Sequence, residues 1–99
     1  MTKSQWKFSD LPNTAVIVNR KIVYEKEWIA YVSHDNDDGA WQFHTNQPGV
    51  AFEKDAILVS LKAIVCLDPT ITLLADLPLG WHAWRHSKNE PWIKEMIAK

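Results

Sequence analysis

The stretch Asp35-Asn36-Asp37-Asp38-Gly39-Ala40-Trp41-Gln42-Phe43 commits this chain to a β-hairpin. Asp-Gly between strand-like runs is a strong turn signal, because Gly accepts the left-handed backbone that tight turns need. Beyond the turn, alternation puts Trp41 and Phe43 on one face and Gln42 and His44 on the other. Loop length then decides the neighbours of the two aromatics. Loops of two or four residues set Trp41 and Phe43 beside Trp28, Ala30 and Val32. A three-residue loop with left-handed Gly39 sets them beside Ile29 and Tyr31, since a slip of one residue flips the face. Both remain open at this level. The three carboxylates form a charged tip held out by a rigid base.

Ninety-nine residues predict a single domain, 1–99. A hydrophobic content of 46% with 23% charged residues provides for one core and argues against disorder. The net charge of −1 supplies no field to attract nucleic acid or an anionic membrane. Tryptophan is over-used, with six residues: Trp6, Trp28, Trp41, Trp81, Trp84 and Trp92. Each carries a large apolar surface and an N–H that needs a partner, so some are expected at a surface as interface anchors. The single cysteine, Cys66, lies in the apolar run Ala63–Leu67 and is expected to be buried. Met1 to Trp6 lacks the apolar region of a signal peptide, and no stretch has the length of a membrane span. A reducing cytoplasm is the expected compartment.

Residues 1–13 read as a polar entry segment pinned by Trp6 and Phe8. Thr14-Ala15-Val16-Ile17-Val18 predicts a strand, and Ile22-Val23-Tyr24 a second short strand or a helical turn. Trp28 to Ser33 predicts a central strand, Ala40 to His44 its hairpin partner, and Thr45 to Gly49 a loop. Ala56-Ile57-Leu58-Val59 predicts another strand. Ser60 is placed to cap a helix with Leu61, Ile64 and Val65 inward. Asp68-Pro69 signals a second helix start, with Ile71, Leu74 and Ala75 inward. Trp81 to Arg85 is strand-like, with Trp81 and Trp84 on opposite faces. Trp92, Ile93, Met96 and Ile97 have helical spacing, which predicts a C-terminal helix over 90–98. The expected fold is α+β: a mostly antiparallel sheet of four to six strands, with short helices from the second half packed on one face.

No catalytic set emerges. With Gly39 at its sixth position, an EF-hand reading of the acidic turn puts His34 first and Thr45 last, where a carboxylate and a bidentate Glu are required. Ser33, Ser60 and Ser87 lack a nucleophile elbow, and three glycines make no phosphate loop. His82 and His86 share a metal only on a helix, because on a strand they stand about 13 Å apart. His34 reads as a surface residue beside the acidic turn, open to titration. Arg85 is placed to stack on an aromatic ring or to anchor an interface together with Trp84.

The runs Val16–Val23, Tyr31–Asp35, Asp38–Phe43, Val59–Leu61, Leu77–Trp81 and Trp84-Arg85 resemble a family of small bacterial proteins long catalogued as a domain of unknown function, which is similar to predicted immunity proteins of polymorphic toxin systems. The resemblance spans about residues 13–93 and is carried most by Asp38-Gly39-Ala40-Trp41-Gln42-Phe43. Here Ala40 separates Gly39 from Trp41, where the family often has Trp directly after Gly. The resemblance implies an α+β fold, no catalytic residues, and the neutralisation of a cognate toxin by binding. Gly39, Trp41, Phe43, Gly80 and Trp81 then read as structural signature positions. Asp35, Asp37, Asp38, Trp84 and Arg85 are the candidate partner contacts. The expected activity is non-enzymatic protein binding, without cofactor or metal, nucleic acid or membrane. The alternatives are a metal or ligand site using His34, His82 or His86, and an aromatic pocket for a small ligand.

Overall fold

The computed structural model describes residues 6–46 and 52–97. The first five residues of the entry segment and most of the 45–49 loop lie outside them. The chain forms β1 (Ala15–Asn19), α1 (Arg20–Tyr24), β2 (Tyr31–His34), β3 (Trp41–His44), α2 (Phe52–Asp55), β4 (Ala56–Ser60), α3 (Leu61–Leu67), a 3-10 helix (Pro69–Leu74), β5 (Trp81–Trp84) and β6 (Ile93–Met96). The six strands make one sheet in the order β4-β1-β3-β2-β5-β6. Only β1 and β3 are parallel among its pairs. This is the expected α+β architecture, with α1 as a helix contributed by the first half.

Local chemistry accounts for most of the boundaries. The Asn19 side chain accepts from Lys21 N–H at 2.9 Å, so the chain turns from β1 into α1 rather than into another strand. Ser60 Oγ accepts from Ala63 N–H, and Asp68 Oδ1 from Thr70 N–H, as the sequence predicts. The hairpin register pairs Val32 with Phe43 and His34 with Trp41. Asp35 N–H donates to Ala40 O at 2.8 Å, which extends the ladder and leaves residues 36–39 as the loop. A loop of that length sets Trp41 and Phe43 on the Val32 face.

That face carries the core. Val16, Val18, Val32, Trp41, Phe43 and Ala83 pack there against Ile22, Leu61, Ile64, Ile71, Leu74 and Leu77. Phe43 and Val32 are fully buried. Burying such side chains supplies roughly 1.5–3 kcal/mol each. The opposite face holds Ile17, Tyr31, Ser33, Gln42, His44, His82 and Trp84. Trp81 faces the core and Trp84 the other side, as the alternation predicts.

Two expectations fail here. Residues 93–96 form strand β6, not a helix, and all four are exposed. As a strand the segment pairs with the outer edge of β5, from Trp81 opposite Met96 to Trp84 opposite Ile93, and satisfies backbone groups that edge would otherwise leave open. Cys66 is exposed, because α3 turns Leu61 and Ile64 inward and leaves Cys66 on its outer side.

Candidate functional site

The acidic turn is built in layers. Gly39 has φ +73°, and its N–H donates to Asp35 O at 2.9 Å. Asp38 Oδ1 accepts from Ala40 N–H at 3.0 Å, which closes the loop on itself. Asp35 is not a free carboxylate. It accepts from Ser33 Oγ at 3.1 Å and from Gln42 Nε2 at 2.6 Å, so both oxygens are held by the sheet. Asp37 is exposed and makes no hydrogen bond among the described residues. Asp37 and Asp38 are thus the exposed carboxylates of the turn, and Asp35 is half-buried and bonded to the sheet.

The turn does not stand alone. Gly80 N–H donates to His34 O at 2.7 Å, and Gly80 has φ +83°. A Cβ at Gly80 would meet Asn36 Cβ at an ordinary contact distance of 3.7 Å, so it is the left-handed backbone, not lack of space, that calls for glycine here. Beyond Gly80 lie Leu79 and the end of β6. Asp35 to Asp38, Leu79, Gly80, Met96 and Ile97 enclose a cleft of about 730 Å³. One wall is acidic and the other apolar, and no cation is among the lining residues. Leu79, Met96 and Ile97 are all solvent-exposed.

The second assembly lies on the open face of the sheet. From Asp35 the chain of contacts runs through Gln42, whose Oε1 is 3.2 Å from His44 Nε2. Gln42 donates to Asp35, so its oxygen is left to accept from the His44 ring. Burial pushes His44 below the ordinary histidine range, against the opposing charge of Asp35. The Tyr31 ring meets the His44 and His82 rings edge-on, and Tyr31 Oη lies 2.8 Å from His82 Nδ1. Burial, with the Asp35 charge second, raises the Tyr31 phenol, so it keeps its proton. Trp84 stands edge-on to His82 at 5.2 Å. This network orders side chains but contains no activated nucleophile. The Ser33 hydroxyl, the best-placed one, donates to Asp35 rather than to a histidine.

The remaining candidates separate. Arg85 is buried, so it is not a partner contact. Its guanidinium donates to Ile29 O at 2.9 Å, Lys88 O at 3.0 Å, Thr70 Oγ1 at 3.2 Å and Asp68 Oδ2 at 2.7 Å. It also stacks over Trp92 at 4.2 Å. The aromatic stacking expected of Arg85 is present, and it serves the fold. Trp84 is half-buried at the far end of β5, three residues or about 10 Å from Trp81 and the acidic turn. Trp41 is held in the core, its Nε1–H donating to Asp10 Oδ2 at 2.8 Å.

The histidine alternative meets the sheet geometry. His34 projects to the core face, stacked on Trp41 at 3.9 Å with Nδ1 2.7 Å from Leu77 O. It is thus a packed residue rather than a surface one. His82 projects to the opposite face, and His86 lies exposed beyond β5. Among the described residues no group of three His, Cys, Asp or Glu side chains is placed to hold a metal ion. No aromatic ring lines the large cleft. Among the described residues no helix is long and apolar enough to cross a membrane.

No family model, curated protein or solved structure matches this chain. Sequence reasoning missed Leu79, Met96 and Ile97 as site residues. Their apolar character was visible, but reading 90–98 as a helix hid the place of Met96 and Ile97 beside the acidic turn, next to Leu79.

Proposed function

We propose that this chain is a non-enzymatic protein-binding domain that contacts its partner through the cleft between the acidic turn and the end of β6. The observation that carries this reading is the pairing of Asp37 and Asp38 with exposed Leu79, Met96 and Ile97 around one concavity. Apolar surface supplies affinity, and a charged rim supplies orientation and association rate. The resemblance to immunity proteins supports a toxin domain as the partner. The acidic wall favours one with a basic surface, as nucleases have.

The test is co-expression with toxin domains encoded beside the gene, scored by cell survival and by complex formation. Protection by the natural chain is expected. Asp37→Lys with Asp38→Lys should weaken the complex about tenfold or more at low salt, with a smaller loss at high salt. Equal affinity of the charge-reversed chain at low salt would remove the turn from the interface. Unaltered killing without a complex across the set would remove the toxin reading.

A further inference from the structure

The cleft lies at one end of β6, and β6 is an edge strand. Its partner β5 covers one side. Ile97 N–H donates to Gly80 O at 2.9 Å, in register with Trp81 opposite Met96. Hydrogen-bonded pairs alternate along an antiparallel ladder, so Ile93 and Glu95 also turn their backbone toward β5. The N–H and C=O groups of Lys94 and Met96 therefore point outward. Among the described residues nothing pairs with them.

Natural monomers usually blunt such an edge. Here the edge is short, but it is apolar at both ends: Ile93 is 42% exposed, Met96 64% and Ile97 37%. Lys94 is engaged by Asp76 at 3.2 Å on the helix side of the sheet. On the other side Ile93, Glu95 and Ile97 stand in a row, which offers an apolar, an acidic and an apolar position to a new neighbour. A second copy of this chain fits poorly. The two antiparallel registers with most overlap set Glu95 across from Glu95, or Lys94 across from Lys94, and like charges directly opposite destabilise a pair. A strand with a basic residue opposite Glu95, apolar residues on either side of it, and a further basic residue reaching Asp37 and Asp38 is complementary throughout.

We propose that β6 takes an extended basic and apolar segment of the partner as a seventh strand. The added strand runs antiparallel to β6 with its N-terminal end at the acidic turn. This rests on the reading of the cleft as a partner surface and adds the mode of recognition, with backbone hydrogen bonds giving affinity and alternate side chains giving choice.

The probe is the capped peptide Arg-Val-Thr-Lys-Thr-Val-Thr, titrated into the full chain and followed by amide NMR shifts and hydrogen exchange. Shifts at residues 93–97 and 36–38, with slowed exchange at Lys94 and Met96, are expected. Lys94→Pro removes one outward N–H, and edge strands accept proline there. It should weaken binding about fivefold. The same peptide N-methylated at alternate amides should lose binding to the natural chain, which repeats the test without any variant. Shifts confined to 36–38, with Lys94 and Met96 unprotected and the N-methylated peptide equally bound, would overturn strand addition and leave the cleft reading intact. No shift at 93–97 would overturn it as well. Protection of Lys94 and Met96 without any response at 36–38 would support strand addition and remove the cleft.

Discussion

Lys26 is the residue most at odds with its backbone. It has φ +58°, a conformation that costs a side-chain-bearing residue about 1 kcal/mol. The position ends α1: Glu25 and Glu27 N–H both return to Lys21 O, at 2.9 and 3.1 Å, and the left-handed residue between them is where glycine is preferred. Lys26→Gly should therefore raise stability by about 0.5–1 kcal/mol, less the entropy that glycine adds to the unfolded chain. Urea unfolding of the two chains checks this, and a lower midpoint for the variant would show that Lys26 Nζ, which donates to Val23 O at 3.2 Å, outweighs the strain. The same scale separates the three carboxylates of the turn. Asp35 belongs to the sheet, Asp38 to the loop, and Asp37 to solvent.

Among the elements, the 3-10 helix and β5 are joined by one buried ion pair. The Arg85 side chain is 1% exposed and that of Asp68 16%. Burial alone would raise Asp68. The hydrogen bonds from Thr70 and Arg85 and the guanidinium charge together outweigh it and hold the carboxyl below its ordinary value. Removing one partner of a buried pair leaves an uncompensated charge, so Asp68→Ala should cost about 3 kcal/mol, part of it through the lost helix cap. Thermal unfolding measures this, and a loss below about 1 kcal/mol would mean that the carbonyls of Ile29 and Lys88 suffice for the guanidinium. The sequence signalled this element well. Asp68-Pro69 announced a helix start, and Trp92 and Arg85 were both visible. Their contact was not, because Trp92 reaches Arg85 only when 93–96 run as a strand along β5.

For the whole molecule, His44 on the open face of the sheet and Asp68 at the start of the 3-10 helix set the response to pH. Both His44 and Asp68 have folded values below their ordinary ones. The unfolded chain then binds more protons just below each ordinary value, so stability rises with pH there. On acidification it should fall first as pH drops below the ordinary histidine value of about 6.5, and again below the ordinary carboxylate value of about 4. His44→Gln should remove the first step and keep the second. Melting temperatures at pH 7.5, 5.5 and 3.5 for both chains decide this, and an unchanged first step in the variant would assign it to another group.

The amino-acid sequence by itself determined the hairpin at 35–40, the caps at Ser60 and Asp68, the core role of Trp41 and Phe43, and the α+β class. These follow from interactions within a few residues, or from an alternation that any sheet would have to respect. Tertiary structure alone decided that β5 lies beside β2, that 93–96 extend the sheet, that Arg85 is buried and Cys66 exposed, and that Met96 and Ile97 face the acidic turn. Several segments here are equally suited to pair as strands. Which of them become neighbours depends on the summed burial of the whole chain, and both the cleft and the open edge of β6 arise from that choice.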